Sequence, residues 1–164
     1  MITSVFTTGV LSSYETQLAA FPALIAFIPM FMGTGGNAGG QASVAVIRSI
    51  ALNEVEFKDI FKVAWKEVKT SLFCGLVVAV VCFLKTILID ARYMGDVTML
   101  TALIVSVTIF LTVVFAELVG AMMPLLAKKV GFDPAVMASP LITTIVDALS
   151  LVIYFQVIRL FLPI

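Results

Sequence analysis

The sequence predicts an all-α integral membrane protein, a five-helix transmembrane bundle in a single domain over residues 1–164. Three observations lead there. Of the 164 residues, 62% are hydrophobic and only 12% charged, against about 25% charged in an average soluble domain. Ten basic and ten acidic side chains are too few to clothe a soluble surface of this size. The charges are also clustered, which leaves runs long enough to cross ~30 Å of hydrocarbon as helices of about 20 residues. A soluble monomer, a disordered chain and a disulfide scaffold are therefore excluded. Zero net charge gives no sign of a nucleic-acid partner. Cys74 and Cys82 lie more than two helical turns apart in one apolar run and read as packing residues.

Each element follows from the charge pattern. Residues 1–13 are apolar but short, and read as the tail of a first helix whose beginning is missing. They lack the basic start and small-residue cleavage site of a signal peptide. Residues 16–47 carry no charge over 32 positions and form the second segment. Residues 70–84 are uncharged, with apolar sequence continuing past Lys85 to Ile89, and form the third. Residues 97–116, interrupted at Glu117 and resuming to Ala127, form the fourth, with Thr98, Thr101, Thr108 and Thr112 along one stripe. Residues 134–158 form the fifth, with a single charge at Asp147. In the 54–69 connection, Phe57, Ile60, Phe61, Ala64, Trp65 and Val68 share a helical face, with lysines mostly on the others. That pattern predicts an amphipathic helix lying on the membrane surface.

The connections predict the orientation. Arg48, Lys58, Lys62, Lys66, Lys69, Lys128 and Lys129 fall on one side of the bilayer, and Lys85, Arg92 and Arg159 on the other. The positive-inside rule puts the first group in the cytoplasm, so the N-terminus is cytoplasmic and the C-terminus external in a plasma-membrane protein.

Asp147 is the main chemical signal. It sits at the fourteenth position of the 25-residue segment, where a charge costs about 2.5–3.5 kcal/mol unless it faces protein or water. Ser139, Thr143, Asp147, Ser150 and Tyr154 are spaced to share one stripe. The second signal is the run from Gly33 to Gln41, with five glycines in the eight residues 33–40 and with Pro22 and Pro29 upstream. One reading is a broken helix whose freed carbonyls become ligands. The other is a small-residue packing face, Gly35 with Gly39 or Gly36 with Gly40. The run also matches Gly-x-Gly-x-x-Ala, but no strand precedes it and a dinucleotide fold is discarded. Glu117 is a second intramembrane acid. Asp133, before Pro134, reads as an N-cap of the last segment or as a cation site at the cytoplasmic mouth. The intramembrane donors are carboxylate, hydroxyl, amide and backbone oxygen, and histidine is absent. Such sites suit hard cations such as Mg²⁺ or Ca²⁺. One carboxylate per chain is thin for a dication, and two chains about a two-fold axis would supply two.

Two stretches carry a family resemblance. The run GTGGNAGGQASVAVIRSIALNEV, from Gly33, resembles the Gly-Asn-x-Gly-x-Gln signature of the MgtE family of magnesium transporters and channels. The run GFDPAVMASPLITTIVDALSLVIYF, from Gly131, resembles that family's final helix. The resemblance implies a homodimer whose pore, at the dimer interface, is made by the second and fifth helices of both chains. It implies a largely hydrated Mg²⁺ as the transported ion, held by Asp147 with oxygens near Gly33, Asn37 and Thr143. Asp133 matches a family acid near the cytoplasmic mouth. Gly36, Gln41, Ser139, Thr144 and Ser150 are then candidate pore-lining residues. The family's cytosolic N and CBS regulatory domains, partners in a full-length protein, are absent from this stretch. Function is expected to be channel-like Mg²⁺ uptake rather than catalysis. The competing readings are a Na⁺- or H⁺-coupled carrier, transport of Co²⁺ or Mn²⁺, a membrane enzyme, and a structural subunit.

Overall fold

The computed structural model describes residues 2–14, 22–95, 97–135 and 140–162. Five helices of twelve residues or more dominate them: α1 (Ile2–Ser13), α2 (Ile28–Ala51), α3 (Ile60–Lys85), α4 (Met99–Val130) and α5 (Pro140–Phe161). Among the described residues three helical stretches are long and apolar enough to cross a membrane: Phe57–Met94, Met99–Val130 and Leu141–Phe161. The 24 residues of α2 span ~36 Å, but its glycines, Asn37 and Gln41 keep it below that apolar standard. Helices α4 and α5 cover much of it.

Local chemistry sets the ends. Pro29 sits in the first turn of α2, where a missing N–H costs no helical bond. Thr98 caps α4 in a reciprocal box, its Oγ1 accepting from the Thr101 N–H at 3.2 Å. Gly131, at φ 87°, closes α4 in the left-handed conformation, and the Phe132 N–H donates to the Ala127 carbonyl. The fourth segment's threonine stripe thus divides. Thr98 and Thr101 serve the cap, while Thr108 and Thr112 are buried in the packing.

Packing makes α4 the central helix, in its most extensive contacts with α2 and α3, while α5 packs on both α2 and α4. Gly35 lies against Thr112, and Gly39 against Ala116, so α2 and α4 run parallel. Leu24, just before α2, meets Tyr154 late in α5, and Gly39 meets Ile142 near its start, so these two are antiparallel. Helix α1 reaches α5, where Tyr14 stacks on Phe155 with ring centroids 4.2 Å apart. Helix α3 packs chiefly on α4. Phe73, Leu76, Val77, Val80, Val81 and Leu84 are exposed and form an apolar face suited to lipid.

Two expectations about the elements are corrected. The 54–69 stretch is not a separate surface helix. A short 3₁₀ turn, Phe57–Asp59, leads directly into α3, which continues unbroken to Lys85. Its inward residue there is Val63, whereas Phe61 and Trp65, assigned to one apolar face, are exposed. A continuous helix keeps every backbone bond internal, which a break at the membrane surface would forfeit. Residues 134–135 form a turn rather than the first turn of the last helix, so Asp133 is not its N-cap. Asp133 instead accepts the Ala135 N–H at 2.9 Å, closing a local Asx turn.

Candidate cation site

The glycine-rich run is helical throughout. Residues 33–41 lie within α2 with no interruption, so the broken-backbone reading is corrected. The interruption falls earlier, at the turn of residues 26–27 between Pro22–Ile25 and α2. The glycines then divide by face. A β-carbon on Gly35 would come within 2.6 Å of the Ser150 Oγ and 2.9 Å of the Thr112 and Val146 side chains. One on Gly39 would meet the Ala116 carbonyl oxygen at 3.0 Å, and one on Gly120 of α4 would overlap the Gly39 backbone. These are the close approaches that small residues permit between membrane helices. Around Gly33 and Gly40 there is open space, and Gly36 faces neither α4 nor the core.

What Gly36 faces is Asp147. A β-carbon there would stand 3.5 Å from the Asp147 Oδ1 and 3.5 Å from the Thr143 Cγ2. Asp147, the eighth residue of α5, is half-buried. Met32, Gly33, Gly36, Asn37, Thr143 and Asp147 line a groove of about 210 Å³. A second groove of about 600 Å³ is lined by Gly36, Asn37, Gly40, Gln41, Val44, Ala45, Arg48 and Thr143. Gly36, Asn37 and Thr143 are common to both, so the two form one furrow between α2 and α5. Gly33, Asn37, Gln41 and Arg48 are exposed along it. The donors gathered there are the Asp147 carboxylate, the Asn37 and Gln41 amides and the Thr143 hydroxyl. All are oxygen donors to a hard cation or to its bound waters.

Other expected residues lie elsewhere. Ser150 is buried, donates to the Val146 carbonyl at 2.7 Å and fills the gap opposite Gly35, so it belongs to the helix packing rather than the furrow. Tyr154, on the same stripe, is also buried and donates to the Leu24 carbonyl at 2.7 Å. Thr144 is half-buried and lines neither groove. Glu117 is half-buried on α4 and also lines neither. Asp133 is exposed in the loop before α5. Ser139 lies outside the described residues. Among the described residues no group of three or more Cys, Asp or Glu side chains gathers to hold a metal. A single chain thus brings one carboxylate to the furrow. Met32 and the groove-facing position of Arg48 were not singled out in the sequence. Helical spacing from Asn37 through Gln41, Val44 and Arg48 is the signal that finds the latter.

The family model for MgtE, described as a divalent cation transporter, matches residues 28–157. The chain belongs to the MgtE family. That match covers α2 to α4 and α5 as far as residue 157, and hence the whole furrow. Among similar proteins is the magnesium transporter MgtE of Thermus thermophilus, 36% identical over 162 residues, covering 99% of this chain and 34% of that protein. Those of Bacillus subtilis (34% identical, 94% and 33% covered) and Enterococcus faecalis (30% identical, 95% and 33% covered) are also similar. The chain spans about a third of the length of the curated relatives it matches. Membership of MgtE and the long apolar helices together make this a multi-pass membrane protein.

Proposed function

We propose that the chain forms the pore part of a Mg²⁺ transporter, moving the hydrated ion through a homodimeric pathway lined by α2 and α5 of both copies. The observation that carries this reading is the Asp147 carboxylate beside Gly36 in the narrower part of the furrow. Asn37 and Gln41 are exposed on the single chain, and lipid offers amides and a carboxylate no hydrogen bonds. A second copy about a two-fold axis covers that face, closes the furrow into a pore and brings a second carboxylate to it. The relatives named as magnesium transporters support the choice of ion.

Channel-like passage follows from the donor set. Mg²⁺ sheds water reluctantly, and one protein carboxylate per chain with amides and hydroxyls is too few to replace its octahedral shell. Those groups instead accept or donate hydrogen bonds to the ion's own waters. The membrane potential then drives the ion inward, at about 2.3 kcal/mol per charge per 100 mV and twice that for a dication. Lysines of the α2–α3 connection, of the first turns of α3 and of the end of α4 set the cytoplasmic side, with the N-terminus on it and the C-terminus outside.

The test is Mg²⁺ uptake by the purified protein in liposomes. Asp147→Asn keeps size and hydrogen bonding but removes the charge, and should cut uptake at least tenfold. Cobalt hexammine, whose shell mimics hydrated Mg²⁺ but cannot be shed, should block the wild type. Thr143→Cys should crosslink between copies. Unimpaired uptake by Asp147→Asn rejects the site, no block by cobalt hexammine rejects the hydrated ion, and a conducting monomer rejects the dimeric pore. Uptake that vanishes when the proton gradient is collapsed would replace the channel by a coupled carrier.

A further inference from the structure

The furrow runs from Gly33 and Asp147 to Arg48 in the last turn of α2. Arg48 carries the one formal charge among the eight residues lining its wider part. The other seven are Gly36, Asn37, Gly40, Gln41, Val44, Ala45 and Thr143. It is exposed, and among the described residues it has no ion pair. No carboxylate lines that wider part, and Asn37, which lines the narrower part together with Asp147, is ~16 Å from Arg48 along the helix. A cation leaving the carboxylate toward this end passes the Arg48 guanidinium.

We propose that Arg48 is a specificity-determining residue of this pathway, an electrostatic barrier that limits cation passage through the end of the furrow at the α2 C-terminus. The proposal rests on the transport reading above. A dication ~7 Å from a single guanidinium in water is disfavoured about sevenfold, and a monovalent cation about two- to threefold. Two copies in a dimer compound the effect, so the barrier bears hardest on divalent flux. The simpler role of a cation at a helix C-terminus, favourable to the helix dipole, needs only that the charge be near the helix end. It does not require the groove-facing position that Arg48 occupies.

The test measures Mg²⁺ flux in liposomes for the wild type, Arg48→Lys, Arg48→Gln and Arg48→Glu, at about 0.01 M and about 1 M ionic strength. Arg48→Lys should match the wild type. Arg48→Gln should raise flux about five- to tenfold at low salt, and Arg48→Glu further. The gain should fall below about twofold at 1 M, where the Debye length is ~3 Å. Arg48→Cys separates charge from folding. On one folded sample, a positively charged thiol reagent should restore the low wild-type flux, and a negatively charged one should raise flux. Equal or lower flux in Arg48→Gln, a gain that persists at high salt, or the same response to both reagents would overturn the proposal. Asp147→Asn is the internal reference. If it stops uptake while Arg48→Gln changes nothing, Arg48 alone is misassigned. If it conducts like the wild type, the transport reading itself fails.

Discussion

Two faces of α2, built from the same residue type, do opposite things. On one, Gly35 and Gly39 are pressed against Thr112, Ala116, Ile142, Val146 and Ser150, and their missing side chains let α2 seat between α4 and α5. On the other, Gly33 and Gly40 meet nothing and Gly36 meets only the Asp147 and Thr143 side chains. About 100° of helical rotation separates a contact made of backbone from a furrow made of space. The comparison teaches that glycine in a membrane helix has no single meaning. It brings helices together where one stands close, and leaves a furrow where the neighbour stands back.

Substitution can break this contrast. The largest effect is expected at the crossing of α2 and α4. Gly120→Ala places a methyl into the Gly39 backbone, which cannot yield as a side chain could. It should cost ~3 kcal/mol or prevent stable folding, at the upper end of overpacking penalties. Thermal unfolding in detergent, followed by size-exclusion chromatography, checks it. Gly35→Ala should cost less, about 1–2 kcal/mol, because its obstacles are side chains of Ser150, Thr112 and Val146 that can turn. The same unfolding measurement ranks the pair, and a reversed order would sink the distinction between backbone and side-chain obstacles.

Gly36→Ala sharpens the comparison from the other side. At 3.5 Å from the Asp147 Oδ1, its methyl is in ordinary contact, so stability should stay within ~0.5 kcal/mol of the wild type. The methyl takes the place of water or ion beside the carboxylate. Mg²⁺ binding by calorimetry should weaken about tenfold, the equivalent of ~1.4 kcal/mol. The smallest effect belongs to Gly40→Ala. Its surroundings are open, and the gain in helix propensity, up to ~1 kcal/mol, should leave stability equal or slightly higher. A drop of more than 1 kcal/mol in the melting analysis would mean that this face, too, is packed.

A similar division runs along α5. Thr143 and Asp147 face the furrow, whereas Ser150 and Tyr154, on the same sequence stripe, are buried with their hydroxyls spent on the carbonyls of Val146 and Leu24. The stripe was legible as a row of polar side chains at helical spacing. Which end of the row meets open space depends on where α2 stops covering it, and that is not written in α5. The uncharged runs likewise announced the spans, because hydrocarbon penalises each charge by several kcal/mol. Residues 54–69 did not announce their continuity with α3. Lysines that suit a surface helix equally suit the first turns of a 26-residue helix, which at ~39 Å outreaches the hydrocarbon.

The sequence by itself determined the class of molecule, the four charge-poor stretches that become α2 to α5, and Asp147 as the residue whose position demands a reason. Each follows from composition and spacing, since the cost of placing charge in lipid is local and additive. Only the tertiary structure decided that α2 stays unbroken through its glycines, that Gly35 and Gly39 pack while Gly36 opens onto Asp147, and that the row from Asn37 to Arg48 lines a groove. The physical reason is that a glycine supplies no side chain of its own. Its role is set by what stands opposite, and only the assembled helices determine that.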